Sequence, residues 1–236
     1  MLILALDTST MVSSVAVATE EKLLAELTVQ TRLTHSETLM PHIEEVLRLA
    51  DVTKEALEGV AVSIGPGSFT GLRIGLAAAK GMAYALHIPI AGVSTLAALA
   101  ARFPVPGAYM APLIDAQKGH AYMALYSWQH GALQEEQGIE ILPLETVLER
   151  CAALSAPVVL SGDIAQKKLA KRVDLPGNVS VAPPAMVMPR AAETAFLGMR
   201  KLSAGEAGNV MDMEPVYIRR SEAEVLWEAR HGKADA

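Results

Sequence analysis

One cysteine, Cys151, stands among 236 residues, so neither an intramolecular disulfide nor a cysteine-rich metal site is available, and a reducing compartment fits. Aromatic residues make up 4% of a chain that is 51% hydrophobic; its core must be assembled from Ala, Leu, Val, Ile and Met, and such a composition argues against disorder. Basic residues are in deficit. The net charge is −6 with acids and bases interspersed, which disfavours independent binding to nucleic acid, because affinity for phosphates comes mostly from Lys and Arg. Long apolar runs are missing too. The longest stretch without Asp, Glu, Lys or Arg, Gly81 to Ala101, is broken by His87, Pro89 and Gly92, whereas a membrane span needs roughly 20 continuously apolar residues. The first apolar run has no basic residues before it and contains Asp7, unlike a signal peptide. The expectation is a soluble, cytoplasmic protein with no membrane contact.

What is present is an alternation of strands and helices. Residues 2–10, LILALDTST, form a short apolar run that ends in Asp7, Thr8, Ser9 and Thr10. SSVAVAT (13–19) and LLAELTVQ (23–30) follow as a hairpin, giving three antiparallel strands. Thr34 and Glu37 have the spacing of a capping box, and Leu39, Ile43, Val46, Leu47 and Ala50 then share one helix face. Pro41 conflicts with that helix and predicts a kink or a late start. A buried strand at 57–65, a helix at 69–86, a strand at 88–94 and a helix at 95–102 capped by Ser94 imply parallel pairing in a layered α/β unit.

FPVPG (103–107) is the strongest break. Beyond it AYMAPLIDA (108–116) again ends in an aspartate, Asp115, and HAYMALYSW (120–128) and ALQEEQGIEIL (132–142) repeat the strand pattern, a weak internal repeat. Further elements are expected as helix 144–154, strand 157–163, helix 164–171, strand 178–182 and helix 189–203. EPVYIRR (214–220) reads as a late extended segment and the following tail as polar and partly helical. The resulting division is an N-terminal lobe of residues 1–103, a C-terminal lobe of 104–210, and a C-terminal segment and tail of 211–236.

GPGSFTGLR (65–73) resembles a phosphate loop but fails both familiar spacings. No lysine follows Gly71 as a Walker loop requires, the glycines at 65, 67 and 71 are one residue too far apart for a dinucleotide fingerprint, and IPIAGVS carries no carboxylate. In the helix, Gly71, Gly75, Ala78 and Met82 line one narrow stripe, with Arg73 and Lys80 opposite. Glycine at 71 and 75 costs about 1 kcal/mol each relative to alanine, so the stripe is there for close approach, either to the sheet beneath or to a helix of a second chain. DTST is either a turn that satisfies its own hydroxyls or one that contacts phosphate. Its echo at Asp115 matters because two-lobed ATPases of the actin, Hsp70 and sugar-kinase type carry one such turn in each lobe. Metal and nucleophile chemistry look poor. His35 and His42 are separated by Pro41, no H-E-x-x-H occurs, Cys151 has apolar neighbours, and Ser68 lacks a G-x-S-x-G frame.

LALDTST, SIGPGSFTGLRIGLAAAKGMAYAL, IPIAGVSTL, LIDAQKGHAYMALY and EPVYIRR, in this order, resemble the TsaB (YeaZ) family, over nearly the whole chain. The resemblance implies a two-lobed α/β fold of the actin, Hsp70 and sugar-kinase (ASKHA) type. It implies a non-catalytic subunit of the bacterial complex that transfers a threonylcarbamoyl group from threonylcarbamoyl-AMP to the adenosine beside the anticodon, position 37, of tRNAs reading ANN codons. The implied partners are a catalytic TsaD-type paralogue and a TsaE-type ATPase, with a homodimer when the chain is alone and tRNA reached only through the complex. The pairing surface implied is the two helices 35–50 and 69–86, with His35, Leu39, Ile43, Leu47, Gly71, Arg73, Gly75, Ala78 and Met82 as contact residues. Asp7, Thr8, Ser9, Thr10 and Asp115 are the candidates for a degenerate nucleotide site with weak or no ATP binding; no cofactor is required and no metal is expected. Two other readings compete: an ATP-dependent phosphotransferase or ATPase using Asp7 and Asp115, and more distantly a metallopeptidase.

Overall fold

The structure is a computed structural model that describes residues 1–30 and 34–218. Its first sheet holds β1 (Leu2–Asp7), β2 (Val12–Thr19) and β3 (Leu23–Gln30) as an antiparallel meander, with β4 (Gly59–Gly65) and β5 (Ile90–Ser94) added parallel to β1, in the order β3-β2-β1-β4-β5. The period of two sorts the side chains by size. Leu4, Leu6, Val15, Val17, Val60, Val62 and Ile90 lie on one face, in one core with Leu39, Ile43 and Val46 of α1 (His35–Leu49) and Leu76, Ala79 and Ala83 of α2 (Phe69–Leu86). The opposite face is nearly all alanine: Ala5, Ala16, Ala18, Ala61 and Ala91, with Ile3 and Val93.

Helix α1 starts where the capping pair places it. The Thr34 N–H donates to the Glu37 carboxylate at 3.1 Å and the Thr34 hydroxyl to the same oxygen at 2.6 Å. The late start that Pro41 predicts does not occur, and the helix runs through it. Pro41 is exposed, so water can replace the main-chain donor it lacks. Ser94 caps α3 (Thr95–Ala101) as expected, its hydroxyl accepting from the Ala97 N–H at 3.4 Å.

The second sheet repeats the first. β6 (Tyr109–Asp115), β7 (His120–Gln129) and β8 (Ala132–Pro143) form the meander, and after α4 (Leu144–Ala152), β9 (Val158–Ser161) and β10 (Val179–Val181) add in parallel, in the order β10-β9-β6-β7-β8. The helix expected at 164–171 is a short π-helical turn, Ala165–Leu169. The last helix, α5 (Ala191–Ser203), does not stay with the second sheet. Ala191, Ala195, Met199 and Leu202 pack on the alanine face of the first sheet, and a Cβ at Gly198 would overlap Ala61. Conversely, Leu96, Leu99 and Ala100 of α3 belong to the second core, with Met110, Leu113 and Leu160. The break near Phe103 therefore separates the sheets, while the helices flanking the sheets are exchanged across it.

Residues 208–218 run back along the first sheet. Gly208 N–H donates to the Ile90 carbonyl and Val216 N–H to the Ile64 carbonyl, both at 2.8 Å, and Lys80 Nζ donates to the carbonyls of Met211 and Met213 at 2.9 and 3.1 Å. The segment expected to be extended is pinned here as irregular chain rather than as a strand. Arg219, Arg220 and the tail expected to be partly helical lie outside the described residues. Among the described residues no helix is long and apolar enough to cross a membrane.

Candidate functional site

The Asp7 turn closes on itself. The Asp7 carboxylate accepts from the Ser9 N–H at 3.0 Å, the Ser9 hydroxyl at 2.7 Å and the Ser63 hydroxyl at 2.5 Å. Only 1% of Asp7 is exposed. Burial raises its pKa, and the hydrogen bonds from Ser63 and Ser9 oppose that rise. Thr8, Ser9 and Thr10 are buried as well. The Thr8 hydroxyl donates to the Gly71 carbonyl at 2.7 Å, and the Ser68 N–H donates to the Ser9 carbonyl at 2.7 Å.

This arrangement explains the glycines of the 65–75 segment. Gly65 leaves β4 at φ +117°, a conformation that side chains rarely adopt, and only three residues then separate strand from helix. So short a link lays the first turns of α2 directly across the end of β1. A Cβ at Gly67 would overlap the Ser9 main chain, one at Gly71 the Thr8 carbonyl, and one at Gly75 the Thr8 side chain. Gly71 and Gly75, expected to face a second chain, are buried against this chain's own turn.

The other expected contact residues divide similarly. Leu39 and Ile43 are buried in the core under α1, and Leu47, Ala78 and Met82 are partly buried against the same core. His35 Nε2 lies 2.8 Å from the Thr10 carbonyl, and His42 Nδ1 lies 3.1 Å from the Ser13 hydroxyl. Arg73 is exposed, yet its guanidinium stacks 3.9 Å over the Phe69 ring and Nε donates to the Tyr217 hydroxyl at 2.8 Å. What α2 presents outward is a different strip of small residues, Ala77, Gly81 and Ala85, with the exposed Tyr84 beside them. At 100° per residue Ala77 and Tyr84 stand close to opposite Gly75, and a Cβ at Gly81 would meet nothing within 4 Å. Met40 and Leu49 are the large apolar side chains that α1 exposes. The helix is apolar on almost every side, so its sequence alone left the inward direction open. The signal that decides it is the length of the link from β4.

Asp115 occupies the matching position at the end of β6 but differs in its surroundings. It is exposed, its carboxylate accepts from the Gln117 N–H at 2.8 Å, and its own N–H donates to Asp163 Oδ1 at 3.0 Å. Lys167 Nζ pairs with Asp163 Oδ2 at 3.2 Å. The two aspartate turns share a topology and not a chemistry. Among the described residues no group of His, Cys, Asp and Glu is arranged to hold a metal ion.

Two sheets of one topology, each followed by a helix given to the other, define a two-lobed fold of the actin and Hsp70 type. The activator of 2-hydroxyisocaproyl-CoA dehydratase from Clostridium difficile, solved with ADPNP bound, shares the fold at a TM-score of 0.53 and 12% identity, over 89% of this chain and 99% of that one. Residues 29–227 match the family model TsaD, tRNA N6-adenosine threonylcarbamoyltransferase. The tRNA threonylcarbamoyladenosine biosynthesis protein TsaB of Bacillus subtilis is 34% identical over 230 residues, 96% of this chain and 98% of its own. YeaZ from Pseudomonas aeruginosa superposes with a TM-score of 0.75 at 28% identity, over 92% of this chain and 99% of that one. The chain belongs to the TsaB family, a branch related to TsaD.

Proposed function

We propose that this chain is the non-catalytic interaction subunit of the complex that places threonylcarbamoyl on the adenosine at position 37 of tRNAs reading ANN codons. The observation that carries this reading is the closed Asp7 turn. The carboxylate and hydroxyls that a nucleotide-using lobe would offer to phosphate or its metal are engaged by Ser63, Ser9 and Gly71 of the same chain. Chemistry then falls to a TsaD-type paralogue, with a TsaE-type ATPase joining the pair and tRNA held by the assembly, which suits a chain of net charge −6. The surface offered to the paralogue is the outward side of α1 and α2, with Met40, Ala77, Gly81 and Tyr84 in place of the buried glycines. Two copies use the same side to pair when the paralogue is absent.

Reconstitution of tRNA modification from purified components tests the reading. Product formation is expected to collapse when this chain is left out, and equal yield without it would remove the proposed role. A phosphotransferase acting through Asp7 and Asp115 is the competing reading. It requires the Asp7 oxygens to turn away from three donors that hold them. Calorimetric titration of the isolated chain with Mg-ATP is therefore expected to give no saturable heat. Micromolar binding that disappears in Asp7→Ala would favour the phosphotransferase instead.

A further inference from the structure

The two halves of the molecule meet through the helices they exchange. α3 continues directly from β5 of the first sheet yet sits in the core of the second, and α5 follows residues 182–190 out of the second sheet onto the first. The two helices are in contact, and Ala98 of α3 shares a buried cluster with Ala191, Ala195, Met199 and Leu202 of α5.

A charged pair stands at one end of this contact. The Arg102 side chain, just past α3, is 6% exposed. Its Nη1 lies 3.5 Å from Glu193 Oε2 in the first turn of α5, and its Nη2 donates to the Ala185 carbonyl at 3.3 Å. The turn that carries Glu193 is itself anchored to the first sheet. The Ala191 N–H donates to the Ser14 hydroxyl of β2 at 2.9 Å, and the Ala192 N–H donates to Glu26 Oε1 of β3 at 3.1 Å. Arg190 adds an ion pair to Glu26 at 3.6 Å. These groups occupy amide donors that a helix start leaves free, and acidic side chains there suit the helix dipole. Arg102 thus reaches from an element packed on the second sheet to a turn fixed on the first.

We propose that the Arg102–Glu193 pair is a lock on the angle between the two halves, so that the chain presents its surfaces as one rigid body. A buried guanidinium and carboxylate contribute little net stability over apolar residues of the same volume, because both are stripped of water, but either one left alone is strongly unfavourable. Rotation of one half on the other would break the pair and leave the Arg102 guanidinium, its side chain 6% exposed, without its carboxylate. The apolar contact between the helices then supplies proximity, and the pair ties one end of it. This inference is independent of which complex the chain joins.

The test is a distance measurement by electron spin resonance. Labels are placed at Glu21→Cys on the β2–β3 turn and Glu149→Cys on α4, both exposed positions, with excess unlabelled chain to suppress distances between copies. The native Cys151 is buried and its thiol is pushed up to about 11, so it stays unlabelled at neutral pH. A single narrow distribution is expected with the pair intact. The double variant Arg102→Met with Glu193→Leu, which removes both charges and keeps the volume, is expected to stay folded by circular dichroism and to broaden the distribution roughly two-fold, as a released hinge would. A broad distribution with the pair intact would overturn the proposal, and so would a folded double variant with a distribution as narrow as the parent. Failure of the double variant to fold would also overturn it, since the pair would then be holding the fold and not the angle.

Discussion

Gly75→Leu is expected to destabilise the first half of the chain before it can affect any partner. The side chain would have to enter the space of Thr8, whose hydroxyl holds the Gly71 carbonyl at 2.7 Å and whose neighbour Asp7 is tied to β4 through Ser63. Overpacking into a filled core costs about 1–3 kcal/mol where side chains can move aside, and more where, as here, the blocking Thr8 side chain is buried and held by its hydrogen bond to Gly71. A loss of about 3 kcal/mol or more is expected, a large share of the 5–15 kcal/mol typical of a folded domain. Urea unfolding reads it directly as a lower midpoint. Gly81→Leu is the control, since a Cβ there meets nothing within 4 Å and losing an exposed glycine from the helix should leave stability unchanged or raise it by up to about 1 kcal/mol. Equal midpoints for Gly75→Leu and the parent would show that α2 does not lie on the Asp7 turn.

Much of this architecture was legible because its signals are local. The Thr34–Glu37 pair, the Ser94 cap, the two aspartate-ending strands and the alternation of strand with helix each occupy a few neighbouring residues, and each element appears where those residues place it. The repeat between the halves, faint as sequence, is complete as sheet order. What was not legible depends on contacts between distant segments. The strands alternate alanine with large residues, as in Leu4-Ala5-Leu6 and Val15-Ala16-Val17, which signals a face awaiting a closely packed helix. Nothing local names α5 as that helix, since it follows the whole second sheet. The candidate site shows the same division. A stripe of small residues correctly announced close approach, yet Ala77 and Gly81 make a second such stripe, and which of the two turns inward depends on the three-residue link after β4.

That second stripe leads to the other large expected effect. Gly81→Arg is expected to leave the chain folded and to weaken pairing with the TsaD-type paralogue about a hundredfold or more. Gly81 lies between Ala77 and Tyr84 on the outward side of α2, with Met40 exposed on the neighbouring helix. Small residues at the centre of a helix face let a second helix approach closely. An arginine there both holds the chains apart and places a charge where water would be excluded, and each 1.4 kcal/mol so lost is tenfold in affinity. Sedimentation of the mixed chains measures the pairing, and urea unfolding confirms that the variant keeps its fold. In the reconstituted modification reaction the defect should be overcome by raising the concentration of the variant, because a weakened contact responds to mass action whereas a misfolded chain does not. Unchanged pairing by Gly81→Arg would move the interface off α2 altogether, leaving the buried glycines with an entirely internal purpose.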